Sequence, residues 1–187
     1  MNPLFEAGQE IQSFMQARGW PFCFIGGLAV IRWGEVRMTQ DIDICLLSGF
    51  GNEKIYIDRL LEIFRPRISD ADVFAIKNRV LLFSVSNGVD IDLTFSGLRF
   101  EERMIERATP YQYSPGCSLI TCSAEDLIVL KAFAGRMKDW SDIEGIITRS
   151  GEGLDTGYIF SQLEPLCEVK ESPETIEKLH ILLSSLK

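Results

Sequence analysis

The stretch Phe24–Ile44, FIGGLAVIRWGEVRMTQDIDI, limits what this chain can fold into more than any other. In it an apolar run ends at Gly26-Gly27, and further on Asp41 and Asp43 alternate with Ile42 and Ile44. Successive side chains of a β-strand point to opposite faces, so this pattern predicts a strand with both acids on one side and both isoleucines on the other. The Cα atoms of the two acids would lie roughly 6.5 Å apart. Acids are depleted in strands, and two of them on a strongly apolar strand need a physical reason. A divalent cation shared by the carboxylates supplies one, and magnesium, which takes oxygen ligands, suits it. The glycine pair predicts a tight turn into a helix whose free N–H groups can receive phosphate.

A chain of 187 residues, 46% hydrophobic and 25% charged, can bury a sizeable core as one domain or as one domain with a small appendage. The net charge of −8 works against tight, nonspecific binding of nucleic acid. Cys23, Cys45, Cys117, Cys122 and Cys167 are odd in number and form no Cys-x-x-Cys pair, and Cys23 and Cys45, inside apolar strands, read as reduced core thiols. No secretory pattern opens the sequence and no apolar run reaches membrane-spanning length, so a cytoplasmic protein without membrane partners is expected. His180 is the only histidine, which argues against Ser-His or Cys-His catalysis and His-rich zinc sites.

Along the chain, helical spacing from Leu4 to Met15 is followed by a short strand at PFCF and a helix over 28–33. A strand is predicted at DIDICLL and a helix through NEKIYIDRLLEIF, ending at Pro66. The run VFAIKNRVLLFSVSNGVDIDLTF reads as two or three strands, with turns at Lys77-Asn78 and Asn87-Gly88. The Asn-Gly turn sets VDIDL antiparallel to LLFSV. Asp90 and Asp92 then share a strand face. Residues 99–107 read as a charged helix, 110–116 as a loop and CSLITC as a strand. Ser123 caps a helix predicted to run through EDLIVLKAFAGRMK. Lys131 falls in the apolar arc of that helix, where a buried stem reaching out to water fits the spacing. Beyond it, Gly145, Gly151, Gly153, Gly157, Pro165 and Pro173 predict short helices and turns.

Ile25-Gly26-Gly27 and the Asp41-Ile42-Asp43 strand together resemble the nucleotidyltransferase superfamily named for DNA polymerase β. Arg37-Met38-Thr39-Gln40 and EDLIVLKAFAGRMKDWSDIEGII look like its AbiEii/MenT-type branch, found in bacterial toxin–antitoxin systems. The resemblance implies an α+β fold with a mixed, largely antiparallel sheet and a helical C-terminal half. The expected division is a catalytic core over 1–120 and helices over 121–187. The implied metal ligands and catalytic acids are Asp41, Asp43 and a third acid, Asp92 in preference to Asp90. Gly26, Gly27, Arg37 and Thr39 would hold the nucleotide. Lys131 would neutralise its phosphates, and Asp139 and Asp142 match an Asp-x-x-Asp segment that could equally cap and charge a helix.

The expected activity is magnesium-dependent transfer of a nucleoside monophosphate from an NTP to an acceptor, with two ions and with manganese as an alternative. The acceptor is left open among a tRNA end, a protein and a small molecule. A toxin or antitoxin partner is implied by the branch. The rival expectations are a non-catalytic module of the same fold, binding nucleotide or a partner protein, and a scaffold whose acids bind only ions.

Overall fold

The computed structural model describes residues 2–185. The chain divides into two compact units, one of Met1–Leu28 and Met38–Cys122, the other of Ala29–Arg37 and Ser123–Lys187. The sequence placed a single division at 120/121. The additional excursion of Ala29–Arg37 has a local cause. Arg149 donates to the Gly34 carbonyl at 2.9 Å, and a Cβ added at Gly145 would lie 3.2 Å from the Glu35 backbone nitrogen, so this segment packs with the later helices.

The first unit is built on one seven-stranded sheet. Its elements are α1 (Pro3–Gln16), β1 (Phe22–Phe24), the start of α2 (Gly26–Trp33), β2 (Asp41–Leu47), α3 (Glu53–Leu61), β3 (Arg65–Pro66), α4 (Ala71–Asn78), β4 (Val80–Ser84), β5 (Asp90–Ser96), α5 (Arg99–Arg107), β6 (Thr109–Ser114) and β7 (Cys117–Thr121). The strand order is β3-β4-β5-β2-β1-β7-β6. The β2/β5 and β1/β7 pairs are parallel and the others antiparallel. The fold is thus α+β, with a mixed, largely antiparallel sheet and a helical C-terminal half.

Burial follows the strand alternation. Ile42, Ile44, Ile91 and Leu93 are fully buried, while Asp41 is exposed and Asp43, Asp90 and Asp92 are half-buried. On the N-terminal side, the Asn2 carboxamide oxygen accepts from Leu4 N–H at 2.9 Å and Pro3 fills the first helical turn, starting α1. The Asn87-Gly88 turn closes the β4/β5 hairpin, which is antiparallel as expected, with Leu82 opposite Asp92 and Ser84 opposite Asp90.

Several local expectations are corrected. Ala71–Asn78 is a helix, not a strand. Only Ala71 and Ala75 of it are buried, while Val73 and Ile76 stay exposed, so no apolar stripe marked it as helical. Thr109–Ser114 is a strand rather than a loop, and Pro110 is tolerated because β6 is the sheet's last strand. The helix opened by Ser123 stops at Ala134, because Gly135 adopts a left-handed conformation (φ 71°). A new helix follows.

The second unit holds α6 (Ala124–Ala134), α7 (Met137–Ser150), α8 (Thr156–Lys170) and α9 (Pro173–Ser185), besides the remainder of α2. Gly145 lies inside α7 and Pro165 inside α8, so neither ends a helix. Burial of Ile143, Ile146 and Ile147, and of Ile159, Leu163 and Cys167, carries the two helices past them. All five cysteines are free and buried, and burial pushes the Cys45 thiol up to about 12, so it stays protonated. Among the described residues, no helix is long and apolar enough to cross a membrane.

Candidate active site

The parallel pairing of β2 with β5 sets Asp41 opposite Asp90 and Asp43 opposite Asp92. Adjacent strands are about 4.8 Å apart, so these four acids form a two-by-two block on one face of the sheet. Such a block of like charges needs compensation. Part of it comes from Arg67, just past β3. Its main-chain N–H donates to the Leu82 carbonyl at 3.1 Å, which places the side chain beside the block. Arg67 Nε lies 3.3 Å from Asp90 Oδ2, and a terminal guanidinium nitrogen donates to Asp92 Oδ1. The Ser84 hydroxyl also donates to Asp90, at 2.7 Å. The Arg67, Asp90 and Asp92 side chains are 29%, 43% and 35% exposed, so water screens these pairs, and each contributes well under about 1 kcal/mol.

On the neighbouring strand, Asp43 packs against the start of α2. Gly26 sits at φ 56°, and a Cβ added to it would fall 1.8 Å from Asp43 Oδ2. The Gly27 N–H points at the same oxygen across 3.4 Å, and a Cβ on Gly27 would meet Thr39 Oγ1 at 2.4 Å. The Thr39 hydroxyl in turn donates to Asp41 Oδ1 at 3.1 Å. The glycine pair therefore lets an acid and a threonine approach the helix N-terminus, where the helix dipole favours negative charge. Gly26, Gly27, Thr39, Asp41, Asp43, Asp90 and Asp92 are all brought together in the first unit.

The remaining expected site residues gather in the second unit. Arg37 donates Nε and a terminal nitrogen to the two carboxylate oxygens of Asp142, at 2.8 and 3.0 Å. Lys131 Nζ lies 2.6 Å from Asp142 Oδ2 and 3.3 Å from Asp139 Oδ1. Arg136 closes the set on Asp139 at 2.6 Å. Lys131 does not reach out to water; it is 6% exposed and Asp139 is fully buried. Burial opposes the charge on Asp139, but the Arg136 hydrogen bonds and the Lys131 charge outweigh it and hold the carboxyl below its ordinary value. Asp142 is likewise penalised by burial and brought below its ordinary value by Arg37 and Lys131. Asp139 also accepts from the Arg136 main-chain N–H at 3.3 Å, at the start of α7. The Arg37–Asp43 run, contiguous in sequence, thus divides between two clusters.

The acid block fits a magnesium ion in donor chemistry, since it presents only oxygen. Among the described residues, no three His, Cys, Asp or Glu side chains converge closely enough to form a ready metal centre. An ion held by Asp41, Asp43 and Asp92 would compete with Arg67 for the charge of Asp92. Sequence reasoning missed Arg67. No spacing rule marks it, and only the antiparallel β3/β4 pairing, Arg65 opposite Ser84, brings it to the acids.

No family model and no curated protein matches the chain. Solved structures do. ANT(2'')-Ia in complex with adenylyl-2''-tobramycin aligns with a TM-score of 0.55 at 14% identity, covering 89% of this chain and 98% of that one. The lincosamide antibiotic adenylyltransferase LnuA, bound to lincomycin, gives 0.52 at 12%, covering 75% and 94%. An antigenic nucleotidyltransferase-like protein from Paracoccidioides brasiliensis gives 0.53 at 14%, covering 97% and 92%. The likeness is one of fold, and the chain has the fold of these nucleotidyltransferases.

Proposed function

We propose that this protein transfers a nucleoside monophosphate from an NTP to an acceptor hydroxyl or phosphate, releasing pyrophosphate. The observation that carries the reading is the register placing Asp43 level with Asp92 on one sheet face, with Asp43 packed on the Gly26-Gly27 helix start. Catalysis of phosphoryl-type transfer rests on positioning and electrostatics, for which acids, glycines and bases suffice without histidine. Asp41, Asp43 and Asp92 would hold magnesium, or manganese, in a two-ion site. When bound, the metal supplies positive charge that offsets the acids and the phosphates. Asp92 would orient the acceptor and take its proton. Gly26, Gly27 and Thr39 would hold the nucleotide. Arg37 and Lys131 are assigned to nucleotide phosphate, a role in which each must leave Asp142.

The antibiotic adenylylating enzymes that share the fold support a small-molecule hydroxyl as acceptor. The resemblance of 37–43 and 125–147 to the AbiEii/MenT-type branch supports instead a toxin–antitoxin setting with a tRNA end or protein as acceptor. Incubation with each α-labelled NTP and magnesium, against small-molecule, RNA and protein fractions of a cell extract, tests the reading. Label should enter one fraction and vanish for Asp41→Asn and Asp43→Asn. Absence of labelled product with all four NTPs overturns it.

One observation favours the non-catalytic alternative, in which the fold binds nucleotide or a partner without transfer. Arg67 already pairs with both Asp90 and Asp92. In that reading Arg67→Met gains no activity and NTP binding is independent of magnesium. In the catalytic reading magnesium competes with Arg67, and Arg67→Met binds the ion more tightly.

A further inference from the structure

A groove of about 780 Å³ runs between α8 and α9 in the second unit. On α8 it is lined by Glu164, Cys167 and Glu168, at the C-cap just past α8 by Glu171, and on α9 by Pro173, Ile176, Glu177, His180 and Ile181. Glu164, Cys167 and Glu168 follow the i, i+3, i+4 spacing of one face of α8, and Pro173, Ile176, Glu177, His180 and Ile181 share one face of α9. The core face of α9 is a different one, carrying Thr175, Leu179 and Leu183. α9 therefore presents a second apolar stripe, with Ile181 64% exposed. Two helices offering such parallel ridges form the surface into which a third helix packs.

Charge selects the occupant. Four glutamates line the groove and, among the described residues, no lysine or arginine does. The two lysines of these helices are engaged elsewhere. Lys170 donates to the Phe133 carbonyl and lies over its ring, and Lys178 Nζ sits 4.2 Å over Trp140. The groove is left apolar at its floor and negative at its rim. His180 at its edge is stacked on Phe160, with ring centroids 3.8 Å apart.

The geometry points to a docking site for an amphipathic helix of a partner protein, its leucine-like face on Cys167, Ile176 and Ile181 and its lysines or arginines on Glu164, Glu168, Glu171 and Glu177. The lined stretches span roughly 10–12 Å at 1.5 Å per residue, which matches the central turns of a partner helix about 15 residues long. An anionic membrane or a nucleic acid would meet the glutamates and be repelled. This site is independent of the acid block and of the proposed transfer reaction.

The test uses the full chain and a labelled Leu/Lys helical peptide of about 15 residues, followed by fluorescence anisotropy. A Leu/Glu peptide of the same pattern and the linear polyamine spermine serve as competitors. The Leu/Lys peptide should bind, weaken as salt rises, and be displaced by neither competitor. The Glu168→Lys/Glu177→Lys double variant and Ile181→Asp should each weaken it by about tenfold or more, whereas Glu174→Lys, outside the groove, should not. Thermal melting confirms that each variant is folded, and all four substituted positions are exposed. Absence of peptide binding overturns the proposal. So does displacement by spermine with no effect of Ile181→Asp, which would make the groove a site for small polycations.

Discussion

The Asp43 carboxylate stands almost where a Cβ on Gly26 would, and that close approach explains the glycine better than a generic phosphate loop does. At φ 56°, with a carboxylate oxygen 1.8 Å from where a Cβ would stand, Gly26→Ala meets both left-handed strain and a clash. We expect a loss of at least about 1–2 kcal/mol, read as a lowered urea midpoint. A neutral substitution would mean that Asp43 moves aside freely. Asp90 and Asp92 differ in a way their shared face conceals. Asp92 stands level with Asp43, whereas Asp90 is level with the exposed Asp41 and takes a second bond from Ser84. Asp92→Asn should therefore abolish transfer, while Asp90→Asn keeps most of it; initial rates of label incorporation decide. The reverse ranking would shift the reactive pair to Asp41 and Asp90.

The α6–α7 pair is clipped by charges rather than by apolar packing alone. Lys131 on α6 reaches Asp139 and Asp142 on α7, and Arg37 and Arg136 complete the set. Lys131→Met leaves two buried acids with less compensation. It should cost about 3 kcal/mol, the low end for a broken buried pair, because both arginines remain. Chemical denaturation measures it, and a loss confined to NTP binding at unchanged stability would make Lys131 a ligand contact alone. The same clip sets a pH dependence. Asp139 and Asp142 are held below the ordinary value of 3.8, so above that pH both are ionised folded or unfolded and the contribution is complete. Below it the unfolded chain takes up protons first, and stability falls with pH until the folded acids are protonated too. Melting temperatures recorded from neutral pH downward should drop on crossing about pH 4, and Asp142→Asn should show a shallower drop.

For the protein as a whole, the proposed function links ligand and stability through the acid block. The proposed site binds magnesium and NTP in the folded chain only. Wild type should gain about 2.7 kcal/mol when ligand stands at a hundredfold excess over its dissociation constant. Asp43→Asn should lose most of that gain. In EDTA the variant should be no less stable than wild type, since it removes one of four neighbouring negative charges. Scanning calorimetry with and without both ligands resolves the two effects. A variant clearly destabilised in EDTA yet stabilised by ligand as strongly as wild type sinks the metal-site reading.

Elements with a strict local period were legible in the amino-acid order. Asp41–Leu47 and Arg99–Arg107 form as a strand and a helix, and the Asn87-Gly88 turn pairs the expected strands, because alternation and turn chemistry act over a few residues. The shared face of Asp41 and Asp43 follows from the same two-residue period. Ala71–Asn78 was misread because its apolar residues stay exposed and carry no burial period. What local order could not determine is which residues meet across long separations. The parallel register of β2 on β5, the arrival of Arg67 at Asp90 and Asp92, and the capture of Arg37 by Asp142 depend on pairing strands and helices far apart in the chain. Such pairing is chosen by burying all the apolar faces at once, so only the tertiary structure decides which acid faces which base.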